Sequence, residues 1–220
     1  MILIGAKGHA LDILAKHEFD DLIVFDNISK SVPDWLVENF IVIRSFDALA
    51  NQLEICPDYI IATGTPVIRK FLLEQVDSIG GKVQSFISPV ATVGELNVIL
   101  SDGLNIMHYC TISNNVIIGK GSLINSYASI HHDVEIGSFT EVSPGARILG
   151  RVKIGDYSSI GANAVVLPDI SIGSNVIVGA GAIVTNNIGD NEIVAGVPAV
   201  KLKENKSIEN ELSMLRKKYN

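Results

Sequence analysis

From Leu100 onward an apolar residue recurs at every sixth position: Leu100, Ile106, Ile112, Ile118, Ile124, Ile130, Ile136, Val142, Ile148, Ile154, Ile160, Val166, Ile172, Val178 and Val184. Glycine often follows, as in Ile118-Gly119, Ile136-Gly137, Ile154-Gly155 and Ile172-Gly173. Six is a multiple of the strand period of two but not of 3.6, so the pattern keeps one face on a strand and loses it on a helix. A short fixed period of this kind predicts a solenoid of short strands stacked coil upon coil, a parallel β-helix. Periodicity leaves the hand of the coil open.

Before residue 90 the pattern changes. Met1–Ala6 reads as a buried strand, Ala10–His17 as an amphipathic helix, and Leu22–Asp26 as a second apolar strand. Phe40–Ile43 and Tyr59–Ala62 are further strands, with helices over Phe46–Leu53 and Val67–Val76, and Lys82–Ile87 supplies a last strand. Alternating β and α elements of this length predict a small parallel sheet flanked by helices. Ser88-Pro89 marks the expected junction, giving a Rossmann-like α/β domain at 1–88, a β-helix with its cap at 89–202, and a tail at 203–220. Val194–Ala199 is expected to close the open end of the solenoid, which otherwise exposes strand edges and apolar core. Ile208, Leu212 and Leu215 predict an amphipathic helix over Ser207–Tyr219, too short to be stable unless it docks on something.

Composition narrows the class. The chain of 220 residues is 47% hydrophobic and 19% charged, which suits a well-buried globular protein. A net charge of −7 gives no basic face for nucleic acid. The two cysteines, Cys56 and Cys110, make no disulfide framework and are expected as core thiols. The opening Met-Ile-Leu-Ile-Gly-Ala is too short for a signal peptide, and no apolar run reaches membrane-spanning length, so a cytoplasmic protein is expected.

Candidate chemistry sits in two places. Gly5-x-x-Gly8, after a strand and before a helix, offers backbone N–H groups to an anion, and Asp26 ends the second strand where an acid often meets a ribose hydroxyl. The motif lacks the full Gly-x-Gly-x-x-Gly, so it reads either as nucleotide binding or as a tight turn and nothing more. In the solenoid, Ile130-His131-His132-Asp133 is the one stretch with adjacent groups suited to proton transfer near neutral pH.

The hexads resemble those of hexapeptide-repeat acyltransferases, and that resemblance implies a left-handed coil of three hexads. Residues eighteen apart then stack. His132, two positions past the inward Ile130, reaches the outside, with Asp133 beside it and Gly150 directly beneath. A glycine there lets a backbone N–H approach a developing oxyanion. The alternative is that His131 and His132 are solvated surface residues. His108, one coil and one face away, and His17, on a helix, are expected as surface residues without a catalytic part.

Over nearly the whole chain to Leu202, the sequence is similar to bacterial nucleotide-sugar acetyltransferases with a Rossmann-like N-terminal domain, such as the bacillosamine-pathway, perosamine and sialic-acid types. The motifs that carry the likeness are Gly5-Ala6-Lys7-Gly8-His9, Phe25-Asp26-Asn27, Ile61-Ala62-Thr63-Gly64, Ile130-His131-His132-Asp133, Ser143-Pro144-Gly145-Ala146 and Ala195-Gly196-Val197-Pro198-Ala199. The resemblance implies His132 as general base and Asp133 as the carboxylate that raises its basicity. It implies nucleotide-sugar contacts from Lys7, Gly8, His9, Asp26, Asn27 and Gly64, with Asn125 positioning the sugar. It also implies acetyl-CoA in a groove between solenoids of a homotrimer, along Glu141, Gly150, Ala162 and Ala180, without a metal. The expected reaction is N-acetylation of a nucleotide-linked amino-sugar, a 4-amino-sugar in the bacillosamine type. Three rivals are O-acetylation as on a sialic acid, a metal-dependent trimer of carbonic-anhydrase type, and an inert nucleotide-sugar-binding protein.

Overall fold

The computed structural model describes residues 1–15 and 21–219, in two compact units, Met1–Phe86 and Ile87–Asn220. His17 and the end of its expected helix lie outside the described residues.

The first unit alternates strand and helix: β1 (Ile2–Ile4), α1 (Gly8–Leu14), β2 (Ile23–Phe25), α2 (Asp34–Asn39), β3 (Ile41–Ile43), α3 (Phe46–Ile55), β4 (Asp58–Ile61), α4 (Pro66–Ser78) and β5 (Lys82–Val83). Every pairing is parallel, in the order β3-β2-β1-β4-β5. Strand β1 is apolar throughout because both of its faces are covered, and it is at most 1% exposed. The order reverses between β1 and β4, so the chain leaves these two strands toward opposite faces and opens a crevice at their carboxyl ends. Helix α2 went unrecognised in the sequence. Its six residues show little periodicity, and only Leu36 is buried. The expected last strand, Lys82–Ile87, is two short strands, Lys82–Val83 and Phe86–Ile87.

The second unit is built of two-residue strands. Those at 111–112, 129–130, 147–148, 165–166 and 183–184 stack in parallel in one sheet, those at 117–118, 135–136, 153–154 and 171–172 in a second, and those at 123–124, 141–142, 159–160 and 177–178 in a third. Between these strands each residue pairs with the one eighteen positions on, as Ile130 with Ile148. The apolar column from Ile106 to Val184 is buried in every coil.

Each corner is turned by a residue in the left-handed region, and the three corners form three columns. One runs Asn97, Asn115, Asp133, Arg151, Asp169; another Tyr109, Tyr127, Gly145, Asn163, Gly181; the third Gly103, Gly121, Phe139, Tyr157, Asn175. Asparagine, aspartate and glycine tolerate positive φ best, which is why they dominate. Inside the third corner stand Ser122, Thr140 and Ser158, all fully buried. Each hydroxyl donates to a carbonyl of the next coil and accepts the N–H of its own equivalent there: Thr140 Oγ1 donates to Gly155 O (2.8 Å) and accepts from Ser158 N (3.2 Å). Burial costs these hydroxyls little because both capacities are used.

Glu192–Ala195 pairs in parallel with Ile177–Val178 and then antiparallel with Val200–Glu204, capping the coil. The final helix, α5 (Ile208–Tyr219), buries Leu212, and Asn205 joins the tail to Asn175 in the last corner. Among the described residues no helix is long and apolar enough to cross a membrane.

Candidate active site

In the first unit the crevice at the carboxyl ends of β1, β2 and β4 holds a cavity of about 450 Å³. Lys7, His9, Asp26, Asn27 and Gly64 line it, as expected, and Thr63 joins them. Gly8 does not. Gly5 builds the turn at the mouth: its φ is +122°, and a Cβ there would stand 2.6 Å from the carbonyl oxygen of Ala62. At Gly64 a Cβ would meet nothing within 4 Å, so its side of the cavity is open. Asp26 is buried, and its Oδ1 accepts from the N–H groups of Ile28 (2.9 Å) and Ser29 (2.8 Å), folding the next loop over the cavity. Asn27 Oδ1 and Thr63 Oγ1 are buried and take no hydrogen bond among the described residues. Such atoms suit a polar ligand that supplies the missing partners. Burial, and then the charge of Arg69, push the His9 imidazole down to about 3, so it is neutral at physiological pH. Arg69 is 2% exposed on α4. With Lys70 beside it and Glu74 and Asp77 further along the helix, nothing in the sequence pattern singled Arg69 out or tied it to His9.

In the second unit His132 and Asp133 form one corner of the coil. His132 Nδ1 lies 2.7 Å from Asp133 Oδ2. An ionised carboxylate only accepts, so Nδ1 carries a proton, and the lone pair of the neutral ring is then at Nε2. The His132 contact, and then an amide hydrogen bond from Asn115, hold the Asp133 carboxyl below the usual carboxylate range. One coil on, Gly150 lies against the ring: a Cβ would come within 2.6 Å of His132 Cε1 and 2.8 Å of Nε2. The Gly150 N–H makes no hydrogen bond among the described residues. An imidazole lone pair beside an uncommitted N–H donor can take a proton while the donor receives an oxyanion.

The remaining candidates lie elsewhere on the coil. Glu141 is on the strand 141–142 and accepts from Ser143 Oγ (3.3 Å). Ala162 and Ala180 stack at the Tyr109 corner, where Gly181 N donates to Ala162 O (2.8 Å). Asn125 sits at that same corner, its Oδ1 accepting from Ser126 N (2.8 Å). One chain thus places these four at one corner and sheet, and His132 with Gly150 at the next. His108 departs from expectation. It is buried, and its Nδ1 lies 2.6 Å from the buried Ser88 Oγ. Cys110 is a core thiol pushed up to about 12 by burial, unsuited to act as a thiolate at neutral pH, whereas Cys56 is only half-buried.

Comparison with known proteins decides the family. Residues 115–150 and 151–186 each match the model of the bacterial transferase hexapeptide, six repeats. No curated protein sequence matches. Among solved structures, the acetyltransferase domain of PglB from Neisseria gonorrhoeae FA1090 is 31% identical, over 91% of this chain and 98% of that one, with a TM-score of 0.81. The chain belongs to the hexapeptide-repeat nucleotide-sugar acetyltransferases. Perosamine N-acetyltransferase from Caulobacter crescentus, as a histidine variant in complex with CoA and GDP-perosamine, is 25% identical over 92% and 96% of the two chains, TM-score 0.82. WeeI from Acinetobacter baumannii AYE is also 25% identical, over 91% and 98%, TM-score 0.79.

As an acetyltransferase of this family the chain has a left-handed coil, as the likeness to its repeats implied. What sequence reasoning missed in this acetyltransferase is the surroundings of His132. Asn115 and Arg151 belong to the His132 corner and Thr63 to the cavity. Asn115 and Arg151 stand eighteen residues either side of Asp133, so the three-hexad period was the signal that points to them.

Proposed function

We propose that this protein transfers acetyl from acetyl-CoA to the amine of a nucleotide-linked amino-sugar, a 4-amino-sugar. The observation that carries this reading is the His132 imidazole, set between the Asp133 carboxylate and the backbone of Gly150. The bound CoA and GDP-perosamine of the perosamine enzyme, and the acetyl coenzyme A of the PglB domain, supply the substrate classes. The nucleotide part occupies the cavity of the first unit, where Asn27 and Thr63 offer buried polar atoms and Lys7 a positive charge.

The amine attacks the thioester carbon directly. Nε2 of His132 takes the proton as the new N–C bond forms, Asp133 stabilises the imidazolium, and the Gly150 N–H receives the oxyanion. Collapse breaks the C–S bond, and the imidazolium returns its proton to the departing thiolate. No covalent enzyme intermediate is needed, and the raised pKa of Cys110 fits that.

The separation of the Ala162–Ala180 track and Glu141 from His132 within one chain supports a homotrimer. In it the track of one copy runs beside the base of the next, and the pantetheine arm lies between them. We place the reaction in the cytoplasm.

The test is thiol release from acetyl-CoA against UDP-, dTDP- and GDP-linked 4-amino-sugars, wild type beside His132→Ala. Turnover of one amino-sugar that falls by ~10²–10⁴ in the variant, with acetyl-CoA binding retained, is the expected result. Release only with a hydroxylated acceptor such as a sialic acid makes the enzyme an O-acetyltransferase, and a loss under about tenfold removes His132 from the role.

A further inference from the structure

The corner that carries Asp133 is a column of polar side chains, one per coil, all on residues with φ between 54° and 66°: Asn97, Asn115, Asp133, Arg151 and Asp169. They bond from coil to coil. Asn97 Nδ2 donates to Asn115 Oδ1 (3.0 Å), and Asn115 Nδ2 donates to Asp133 Oδ1 (3.1 Å). Beyond Asp133, Arg151 donates through Nε and Nη2 to the two oxygens of Asp169, at 2.6 and 2.9 Å.

Two consequences follow for the carboxylate. Its oxygens are divided, Oδ1 to Asn115 and Oδ2 to His132, so the plane of the carboxylate is fixed from both ends. The Asn115 amide cannot turn over without presenting its oxygen to a carboxylate and its NH₂ to the donor of Asn97, which would lose both bonds. On the other side, the one cation of the column is engaged by the bidentate Asp169 contact, which leaves Oδ2 to the imidazole. The groups facing Asp133 are therefore a neutral amide on the preceding coil, an ion-paired guanidinium on the following coil, and the His132 ring.

We propose that Asn115 is a positioning residue for acetyl transfer: it holds the Asp133 carboxylate in the orientation that keeps Nδ1 of His132 protonated and Nε2 aimed outward. The proposal rests on the reading of His132 and Asp133 as the base and its carboxylate. Asn115 touches no reacting atom and acts only through Asp133.

Asn115→Gly tests it, because glycine keeps the left-handed backbone without strain while removing the amide. With acetyl-CoA and the accepted amino-sugar, kcat is expected to fall about tenfold, the worth of one hydrogen bond to a charged group, with KM for acetyl-CoA unchanged. In an Asp133→Gly background the same substitution is expected to cost nothing more, since residues that act as one unit are not additive. Wild-type kcat in Asn115→Gly, or the full loss repeated in the Asp133→Gly background, overturns the proposal. His132→Ala run alongside separates the two readings. If it is inactive while Asn115→Gly is normal, only the positioning role falls; if it turns over normally, the base falls and the positioning role with it. Should Asn115→Gly fail to fold, the cycle is run with Asn97→Gly, which frees only the far side of the amide. A loss of about threefold that disappears in the Asp133→Gly background is then expected, and wild-type kcat overturns the proposal.

Discussion

Gly150 lies under the imidazole of His132 so closely that a single methyl group would stand 2.6 Å from Cε1 and 2.8 Å from Nε2. The contact joins consecutive coils at one corner. It brings together a ring that is half-exposed and a backbone position with no side chain.

Gly150→Ala is therefore expected to separate activity from stability. The backbone of Gly150 is not in the left-handed region, so alanine brings no strain of its own. The exposed ring is the part that yields. It swings off its position beside Asp133, and kcat falls by about 10²-fold while the unfolding free energy changes by less than about 0.5 kcal/mol. Steady-state kinetics beside a urea titration check this. Equal and large losses in both would mean that the glycine serves the coil rather than the chemistry.

Gly5→Ala is expected to do the opposite in the first unit. Its φ of +122° and a Cβ 2.6 Å from Ala62 O leave no conformation for alanine without moving β4 or the turn. A cost of about 2–4 kcal/mol in that unit is expected, with loss of nucleotide-sugar binding. Acetyl-CoA binding, which we assign to the solenoid, should survive. Calorimetric titration with each substrate distinguishes the two.

Thr140→Val removes one hydroxyl from the buried ladder without changing its shape. Gly155 O then loses a donor and Ser158 N an acceptor, both inside the coil. Unpaired buried groups of this kind cost about 1–3 kcal/mol each, so the solenoid is expected to lose about 2–6 kcal/mol. A variant as stable as wild type would show that the neighbouring coils shift to satisfy both groups.

His9 should make the first unit acid-sensitive. Its pKa in the fold, about 3, lies below the ordinary imidazole value. The unfolded chain therefore binds the proton first as pH falls. Stability is full above about pH 6.5, declines as pH drops below it, and the decline from this group ends near pH 3. His9→Gln, neutral at every pH, is expected to flatten that slope between pH 6 and about 4, measured by thermal melts. An identical slope in the variant would assign the acid loss to other groups.

How far the sequence reached depended on the range of the interaction concerned. The hexad column from Ile106 to Val184 was legible because each coil repeats one local condition, an apolar residue facing inward every sixth position. The α/β alternation of the first unit was legible for the same reason, and α2 was missed where its period was too short to register. His132, Asp133 and Gly150 could be named together only because the repeat converts a sequence separation of eighteen into contact. Where no repeat makes that conversion, the sequence was silent. The burial of His108 against Ser88 and the neutral state of His9 beside Arg69 depend on side-chain directions and local dielectric. The repeat did place Asn115 one coil from Asp133, but the division of the Asp133 oxygens between His132 and Asn115 depends on side-chain directions that no period encodes. By itself, then, the sequence determined the coil, the sheet and which residues the repeat stacks at one corner, because period and residue type are local properties. The tertiary structure alone decided which oxygen faces which donor and which imidazole is neutral, because hydrogen bonds and desolvation act over a few ångströms between residues far apart in the chain.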